Sequence, residues 1–202
     1  MKEVVEISSK AKRVVGTVND SMEKYLYRDE AGGAAAWGMT IVKMDVPVET
    51  LFTYIWLLDT YAKKVENEGS EILEVWKNLD GTRSLQYDIS IGLPGGFQDR
   101  LFKIWTTWEK RVDEDGRRTF IIAFAPMEDY KGTSHKVAGS GKMVEATSKG
   151  VQIIKELNNN TCEWTMTQQA DLKIGLPANR LDFIAKQQMG WCKVRCSEEA
   201  TS

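Results

Sequence analysis

The sequence predicts a single domain of the α+β class, with long antiparallel strands flanked by helices, because two different periodicities occupy different parts of the chain. Residues 84–91 alternate strictly between apolar and polar side chains, as a strand with one buried face does. Residues 177–195 place apolar side chains three and four positions apart behind Pro177, and proline is favoured at the first position of a helix. The chain therefore combines sheet and helix in one domain.

The N-terminal part predicts a helix, followed by the main body of the domain. Residues 4–26 have apolar side chains at spacings of three and four, which is typical of an amphipathic helix. We assign residues 1–30 to this helix, as part of the domain, and residues 34–196 to the main body. A strand is expected over 37–46, and Pro47 then indicates the start of a second helix.

The middle of the chain predicts a meander, in which successive strands pair with each other. Turn-forming Gly, Asn and Asp residues separate the apolar segments, and a stretch rich in Gly and Lys over 126–141 predicts a long loop. A bulge is expected near 148–150, where Gly150 interrupts a long strand. The strands are expected over residues 71–78, 84–91, 101–111, 119–125, 142–157 and 162–172.

Composition excludes several classes of protein. The chain has 202 residues, of which 42% are hydrophobic and 28% charged, and this suits one folded domain with a sizeable core. Its net charge of −2 gives no general attraction to nucleic acid, and no apolar run is long enough to span a bilayer. Three cysteines are too few for a disulfide framework, and the N-terminus lacks the apolar segment of a signal peptide. We therefore expect a soluble cytoplasmic protein that binds no nucleic acid.

No metal or other cofactor is expected. His135 is the only histidine of the sequence, and a single histidine cannot build a zinc site. A solvated loop position suits His135 better than a catalytic pairing with Cys192 or Cys196. These two cysteines lie one helical turn apart and could bind a metal or oxidise together, although residues so near a chain end are often inert. The role of this pair stays open.

The inward stripes of the strands and of the last helix predict a common interior. Taken alone, such stripes are most simply a packed core. Their few polar members need hydrogen-bond partners, which can be one another, water or the head group of a ligand. The side chains expected in this interior are Tyr87, Ile89, Phe102, Ile104, Thr106, Phe120, Ile122, Phe124, Trp164, Met166, Gln168, Leu181, Ile184 and Gln188.

Three stretches of the chain resemble the START family, the steroidogenic-acute-regulatory-related lipid-transfer domains. Residues 93–102 are LPGGFQDRLF, which is similar to the family's loop of proline and glycine with the Asp-Arg-apolar start of the next strand. Residues 144–151, VEATSKGV, resemble the strand after the long loop, and residues 169–177, QADLKIGLP, the segment before the closing helix. The similarity covers residues 34–195, in the same order and spacing.

The resemblance implies a helix-grip fold, in which a curved antiparallel sheet surrounds a long C-terminal helix and leaves an internal apolar tunnel. It also implies that the interior residues named above bind one lipid-type molecule, such as a phospholipid or a sterol. Members of the family carry such ligands between membranes or sense them, without a metal and without catalysis. We expect the same of this chain, as a monomer that contacts membrane surfaces transiently. Residues 126–141 and the helix from Pro177 are expected to act together as a lid.

The expected tunnel departs from the family in one respect. Some sterol-binding members place an acid and an arginine on the two strands beside the proline-glycine loop, where this chain has Tyr87 and Thr106. These two residues can hydrogen-bond a hydroxyl or an ester but cannot form an ion pair, so the resemblance does not extend to a sterol in particular. Asp99 and Arg100 are expected either to form an ion pair at the strand end or to fix the loop.

Two other functions remain open from the sequence. A helix-grip enzyme of the polyketide cyclase or hydrolase type would act on a small apolar substrate, and it would need an acid or base that faces the cavity. A regulatory module with a vestigial tunnel would have a filled, collapsed interior. Period-two counting puts the strand acids on the opposite face, which favours binding over catalysis. These acids are Asp88, Glu109, Glu163 and Asp171.

Overall fold

The computed structural model confirms the α+β class, because its described residues form a nine-stranded sheet with one α-helix packed against it. The predicted helix over 177–195 and most of the loop predicted over 126–141 lie outside the described residues, which are 12–13, 22–27, 37–57, 70–77, 83–93, 97–130 and 143–174. The elements are β1 (Lys12–Arg13), β2 (Met22–Tyr27), β3 (Trp37–Met44), α1 (Val48–Trp56), β4 (Ser70–Lys77), β5 (Ser84–Ile91), β6 (Arg100–Val112), β7 (Arg118–Pro126), β8 (Val144–Asn158) and β9 (Thr161–Asp171), with a 3₁₀ turn at Met127–Asp129.

The strands follow the spatial order β1-β2-β3-β9-β8-β7-β6-β5-β4, and neighbours in this order are antiparallel. Strand β7 ends at Pro126, and proline cannot donate a hydrogen bond to a further ladder position. Beyond that end the flanking strands β6 and β8 pair directly, in parallel, from Arg100 to Phe102 and from Val144 to Ala146. This junction draws the curved sheet together at one end.

The N-terminal helix predicted over 4–26 is wrong for the described part of that segment. Lys12–Arg13 and Met22–Tyr27 are strands that pair with each other, and Met22–Tyr27 also pairs along its whole length with β3. An edge strand offers a full row of unpaired backbone groups, and pairing with it outweighs helix propensities of about 0.7 kcal/mol per residue or less. The other residues of 1–30 lie outside the described part of the chain.

Strand β5 is confirmed between the two residues where the alternation places it, Ser84 and Ile91. The alternation does not predict that the polar face of β5 is buried as well. Gln86, Asp88 and Ser90 are 6%, 0% and 8% exposed, and Gln86 Nε2 donates a hydrogen bond to Asp88 Oδ1 at 3.3 Å. This polar face of β5 is therefore covered, and its residues do not mark a solvent surface.

Helix α1 is confirmed directly after Pro47, whose carbonyl accepts a hydrogen bond from the Leu51 backbone N–H at 3.2 Å. Its apolar side packs on one face of the sheet, which we call the inner face. Val48 and Leu51 are 1% and 3% exposed there, in one cluster with Phe120 and Ile154. The helix is held mainly by this burial, since nine residues alone form a marginal helix in water.

An ion-pair cluster ties the first turn of α1 to the sheet. The Arg118 guanidinium donates to both carboxylate oxygens of Glu156, with Nε 2.8 Å from Oε2, and the Arg118 backbone N–H donates to the same carboxylate at 2.9 Å. Arg118 Nη1 also donates to Glu49 on α1. Glu156 is 5% exposed, and the hydrogen bonds from Arg118 lower its pKa to about 2. The carboxylate is thus held in its charged form.

Gly150 lies in a regular part of β8, so the bulge predicted near 148–150 is wrong. The glycine is needed there for a different reason. A Cβ atom on Gly150 would lie 2.2 Å from the Thr167 carbonyl oxygen and 2.7 Å from Cζ of Phe124. The missing side chain allows the Phe124 ring to lie against the backbone of β8.

We expect Gly150→Ala to destabilise the fold by about 1–3 kcal/mol, because the added methyl must displace an aromatic ring and a strand backbone. Urea unfolding followed by far-UV circular dichroism measures this change. Lys155→Ala, at an exposed position of the same strand, should stay within about 0.5 kcal/mol of the wild type. Equal stability of Gly150→Ala and the wild type would contradict the close approach.

Glu156 is expected to make the fold sensitive to acid. Its pKa in the fold, about 2, lies below the ordinary value of 4.5, so its contribution to stability is fully present above the ordinary value. That contribution is lost as the pH falls from there through about 2. Glu156→Gln should therefore lower the melting temperature at neutral pH and show a shallower acid decline, which thermal melts across the pH range measure.

Glu145→Gln is the matched control, because it removes an exposed carboxylate from the same strand and should follow the wild-type pH profile. If Glu156→Gln keeps both the neutral stability and the acid profile of the wild type, the carboxylate does not stabilise the fold in the way described.

Candidate functional site

The inner face beneath α1 is a packed core. Phe52 of the helix stacks on Phe120 with ring centroids 4.3 Å apart and meets Trp108 at 4.8 Å. Three residues predicted for the interior, Phe120, Ile122 and Trp164, belong to this part. Its buried residues, which we call the helix cluster, are Met44, Val48, Leu51, Phe120, Ile122, Ile154, Cys162 and Trp164.

The rest of the inner face forms a second apolar cluster, which includes no described residue of α1. Five predicted interior residues meet in it, and a sixth, Met166, packs against both clusters. Several of its large side chains are half-buried, as are several of those that pack against the helix cluster. This β5–β6 cluster consists of buried Phe102, Ile104, Phe124, Ala146 and Leu172 with half-buried Tyr87, Ile89, Ile91, Met166 and Ile174.

Two polar residues predicted on the inner face have partners within the protein. Thr106 Oγ1 donates to the Ala123 carbonyl oxygen at 2.9 Å, and Gln168 Nε2 donates to Ser148 Oγ at 2.8 Å. Thr106 and Gln168 lie on one row across the sheet, on either side of Phe124. A hydroxyl and an amide each retain further hydrogen-bonding capacity, so this row can also meet a polar group of a ligand.

Tyr87 is the third polar residue of the predicted site, and it pairs with Ile104 across β5 and β6. Its side chain is half-buried, and desolvation raises the pKa of its phenol above the ordinary value of 10.0. Among the described residues, no hydrogen-bond partner is found for its hydroxyl. Desolvation of this kind shows that the phenol does not face bulk water.

Arg100 also belongs to the inner face, although the predicted interior does not include it. It is 4% exposed, and its Nε donates to the Leu172 carbonyl oxygen at 2.6 Å while Nη1 donates to the Gln98 carbonyl. The described acceptors of Arg100 are both carbonyls and no ion pair with Asp99 is found, so the expected strand-end ion pair is wrong, whereas the bond to Gln98 does hold the loop before β6. Counting back in twos from Phe102 is the sequence signal that could have placed Arg100 inward.

Glu156 is an acid on the inner face, which corrects the expectation that this face is free of acids. It pairs with Cys162 across β8 and β9 and lies at the end beneath α1. The expected bulge leaves the faces of β8 unassigned in the sequence, so Glu156 was overlooked. The four strand acids named from the sequence do alternate with inner-face residues; they are Asp88, Glu109, Glu163 and Asp171.

Several predicted residues lie outside the described part of the chain. Among the residues that are described, no group of three or more His, Cys, Asp or Glu side chains is arranged to hold a metal ion. Within the same residues, no helix has the length and apolar character needed to cross a membrane. The predicted residues outside this part are Leu181, Ile184 and Gln188 of the interior, with His135, Cys192 and Cys196.

No family sequence model and no curated protein sequence matches the chain significantly. Solved structures do match. Human STARD10 has a TM-score of 0.66 at 17% sequence identity, over 94% of this chain and 75% of that chain. The lipid transfer and protein localization domain of human StarD13 (DLC2) has a TM-score of 0.64 at 14% identity, over 94% and 90%.

A bacterial structure is similar to the same extent. The STAR-related lipid transfer protein of Xanthomonas axonopodis, as a fragment, has a TM-score of 0.65 at 14% identity, over 93% of this chain and 97% of that chain. Identities this low establish the fold and leave the ligand to be argued from this chain's own residues. The resemblance found in the sequence is thereby confirmed at the level of architecture: the chain has the fold of the START domains.

Proposed function

We propose that this chain binds one lipid-type apolar molecule, without catalysis, in an enclosed tunnel on the inner face beside the β5–β6 cluster. The observation that supports this most directly is Tyr87, whose phenol is desolvated and without a described partner although the residue is only half-buried. A packed core would bury the whole residue, and bulk solvent would leave its pKa near the ordinary value. A space that excludes water and is not filled by protein fits both observations.

The walls of this space determine what can occupy it. Ile89, Ile91 and Met166 are half-buried beside Phe102 and Ile104, which are 4% and 2% exposed. Partly buried aliphatic side chains next to fully buried ones favour an apolar occupant, because about 25 cal/mol is gained for each Å² of apolar surface removed from water. The polar groups nearby are few and uncharged along the middle of the face, which is the usual composition of a small-molecule site.

The setting of this binding follows from the fold. Similar structures are named as lipid transfer proteins or domains, which supports lipid carriage or lipid sensing as the role. Both roles require a lipid to leave and enter a membrane, so we include a transient contact with a membrane surface in the proposal. The protein would act as a cytoplasmic monomer, and a phospholipid and a sterol both remain suitable ligands.

A helix-grip enzyme of the polyketide cyclase or hydrolase type is less well supported. A general acid or base works best with a pKa near the operating pH. Glu156, the acid found on the described inner face, has its pKa lowered to about 2 by hydrogen bonds from Arg118. It also lies at the end beneath α1, paired with Cys162 of the helix cluster, and the β5–β6 cluster that contains Tyr87 does not include it. Its geometry serves to hold the helix.

Native mass spectrometry of the full chain, after incubation with vesicles of mixed cellular lipids, should show a complex with a single lipid molecule. Ala146→Phe should abolish that complex, because its ring would fill the space beside Phe102, which pairs with Ala146. If the space exists, the variant should also melt close to the wild-type temperature. If the interior is solid, the added ring should destabilise the fold by about 1–3 kcal/mol.

Ala123→Phe is the control for Ala146→Phe, since it adds the same volume on the outer face of the sheet, at a half-buried position. It should keep the bound lipid. Absence of lipid from the wild type, together with strong destabilisation by Ala146→Phe, would contradict the proposal and favour a vestigial tunnel.

Tyr87→Phe should weaken lipid binding roughly two- to tenfold, because a neutral hydrogen bond contributes about 0.5–1.5 kcal/mol. The melting temperature of the free protein should not change, since no described residue loses a partner. Fluorescence titration with the lipid found by mass spectrometry measures the affinity. Tyr130→Phe, which removes a hydroxyl from a half-buried tyrosine stacked on Trp105, should bind like the wild type. If Tyr87→Phe loses stability without losing affinity, the Tyr87 hydroxyl bonds to the protein rather than to the ligand.

A further inference from the structure

Arg100 places a positive charge at one end of the β5–β6 cluster. Its register partners are Ile91 on β5 and Val144 on β8, and Phe102 follows it on the same face of β6. Ile91, Phe102 and Leu172, whose carbonyl accepts a hydrogen bond from Arg100, are all members of the cluster. The guanidinium therefore borders the space in which the apolar ligand is proposed to bind.

The charge of Arg100 is buried without a described countercharge. The residue is 4% exposed, and the ion pairs found among the described residues do not include it. Its two described acceptors are the carbonyls of Leu172 and Gln98, which are dipoles rather than charges. Burying a charge without an opposite charge is costly, so the site favours an anion beside Arg100.

The guanidinium is also held in a fixed orientation, and only some of its hydrogen-bond donors have described acceptors. It has five N–H donors, and the described residues accept two of their hydrogen bonds, through Nε and Nη1. These two bonds fix the plane of the group between the loop before β6 and the segment after β9. A guanidinium fixed in this way suits the two oxygens of a carboxylate or phosphate, which it can bind in a forked geometry.

We propose that Arg100 binds the anionic head group, a carboxylate or a phosphate, of the lipid-type ligand; the inference rests on the proposed function. The apolar part of the ligand then lies along the inner face from Phe102 past Ile104 towards Phe124. From Arg100 to Thr106 the strand covers six residues, about 20 Å, which is comparable with an extended acyl chain. The neutral pair Tyr87 and Thr106 thus meets the chain or a linking ester, and Arg100 meets the charge.

Matched pairs of lipids test this inference. We expect wild-type protein to bind oleic acid, at a pH where the acid is ionised, on the order of tenfold more tightly than oleyl alcohol, since hydrogen bonds to charged groups contribute about 1.5–3 kcal/mol. If the head group is a phosphate, phosphatidic acid should bind more tightly than diacylglycerol with the same acyl chains. The lipid pair with the larger ratio of affinities identifies whether a carboxylate or a phosphate is bound.

The variant that tests the residue is Arg100→Gln, which removes the charge and keeps a donor for the Leu172 carbonyl. It should reduce the acid-to-alcohol ratio to about one and leave the affinity for the alcohol unchanged. Lys103→Gln removes the same charge from the outer face of the same strand, where Lys103 pairs with Glu145, and should keep the wild-type ratio. A ratio that survives in Arg100→Gln overturns the inference, as does equal loss of affinity for acid and alcohol.

A second measurement applies even if Arg100→Gln does not fold. The Nε–H signal of Arg100 in a spectrum of arginine-labelled wild-type protein, assigned by its absence in Arg100→Lys, should shift on addition of oleic acid and stay in place with oleyl alcohol. Identical responses to the two ligands overturn the inference while leaving the proposed function intact. If neither the acid, the alcohol nor either glycerolipid binds the wild type, the proposed function fails as well.

Discussion

The inner face of the sheet is longer than α1, the helix that packs on it within the described residues, and the rest of the structure depends on this mismatch. Helix α1 has nine residues and is about 13 Å long, whereas β6 has 13 residues and is about 43 Å long. The helix cluster fills the part that α1 can reach. Apolar side chains nevertheless continue along β6 through Ile104 and Phe102, so the remaining face needs another cover. The helix predicted over 177–195, about 28 Å long, and a ligand between it and the sheet would together supply that cover.

The two ends of the inner face differ in whether their charged side chains have countercharges. Beneath α1, Arg118 faces the carboxylates of Glu156 and Glu49, so cation and anion are both supplied by the chain. At the far end, Arg100 meets only backbone carbonyls among its described neighbours. A compensated cluster of this kind stabilises one arrangement of helix and sheet, while an uncompensated cation leaves a preference for an outside anion. The difference separates a charge that the chain compensates from one that has no countercharge among the described residues.

Local patterns in the sequence predict much of this fold. The alternation of β5 and the position of Pro47 before α1 depend on neighbouring residues, and both are confirmed. The sequence pattern wrongly predicts a helix over Met22–Tyr27, because the structure of this segment depends on pairing with the backbone of β3 rather than on its own spacing of apolar residues. The burial of Asp88 could not be predicted for a similar reason, since alternation reports which side chains share a face and not whether that face is covered.

The predicted site shows the same division between local and distant information. Five of its residues meet in the β5–β6 cluster, because period-two counting assigns faces well within a strand. The same counting could not separate the β5–β6 cluster from the core beneath α1, to which Phe120, Ile122 and Trp164 belong. That separation depends on where a short helix lies on the sheet, and the helix is positioned by the burial of Val48 and Leu51, with an ion pair from Arg118 to Glu49 at its first turn.

The end of β7 at Pro126 explains how Arg100 comes to border the cluster. If β7 continued, three strand spacings, about 14 Å, would separate β6 from the chain that follows β9. Because β7 ends and β6 pairs directly with β8, the separation falls to two spacings, about 10 Å, and the long arginine side chain reaches the Leu172 carbonyl. A residue that stops one strand thereby brings a buried cation to the end of an apolar face. Counting in twos along β6 can assign Arg100 to the inner face, but its contact with the Leu172 carbonyl is a consequence of the sheet's topology.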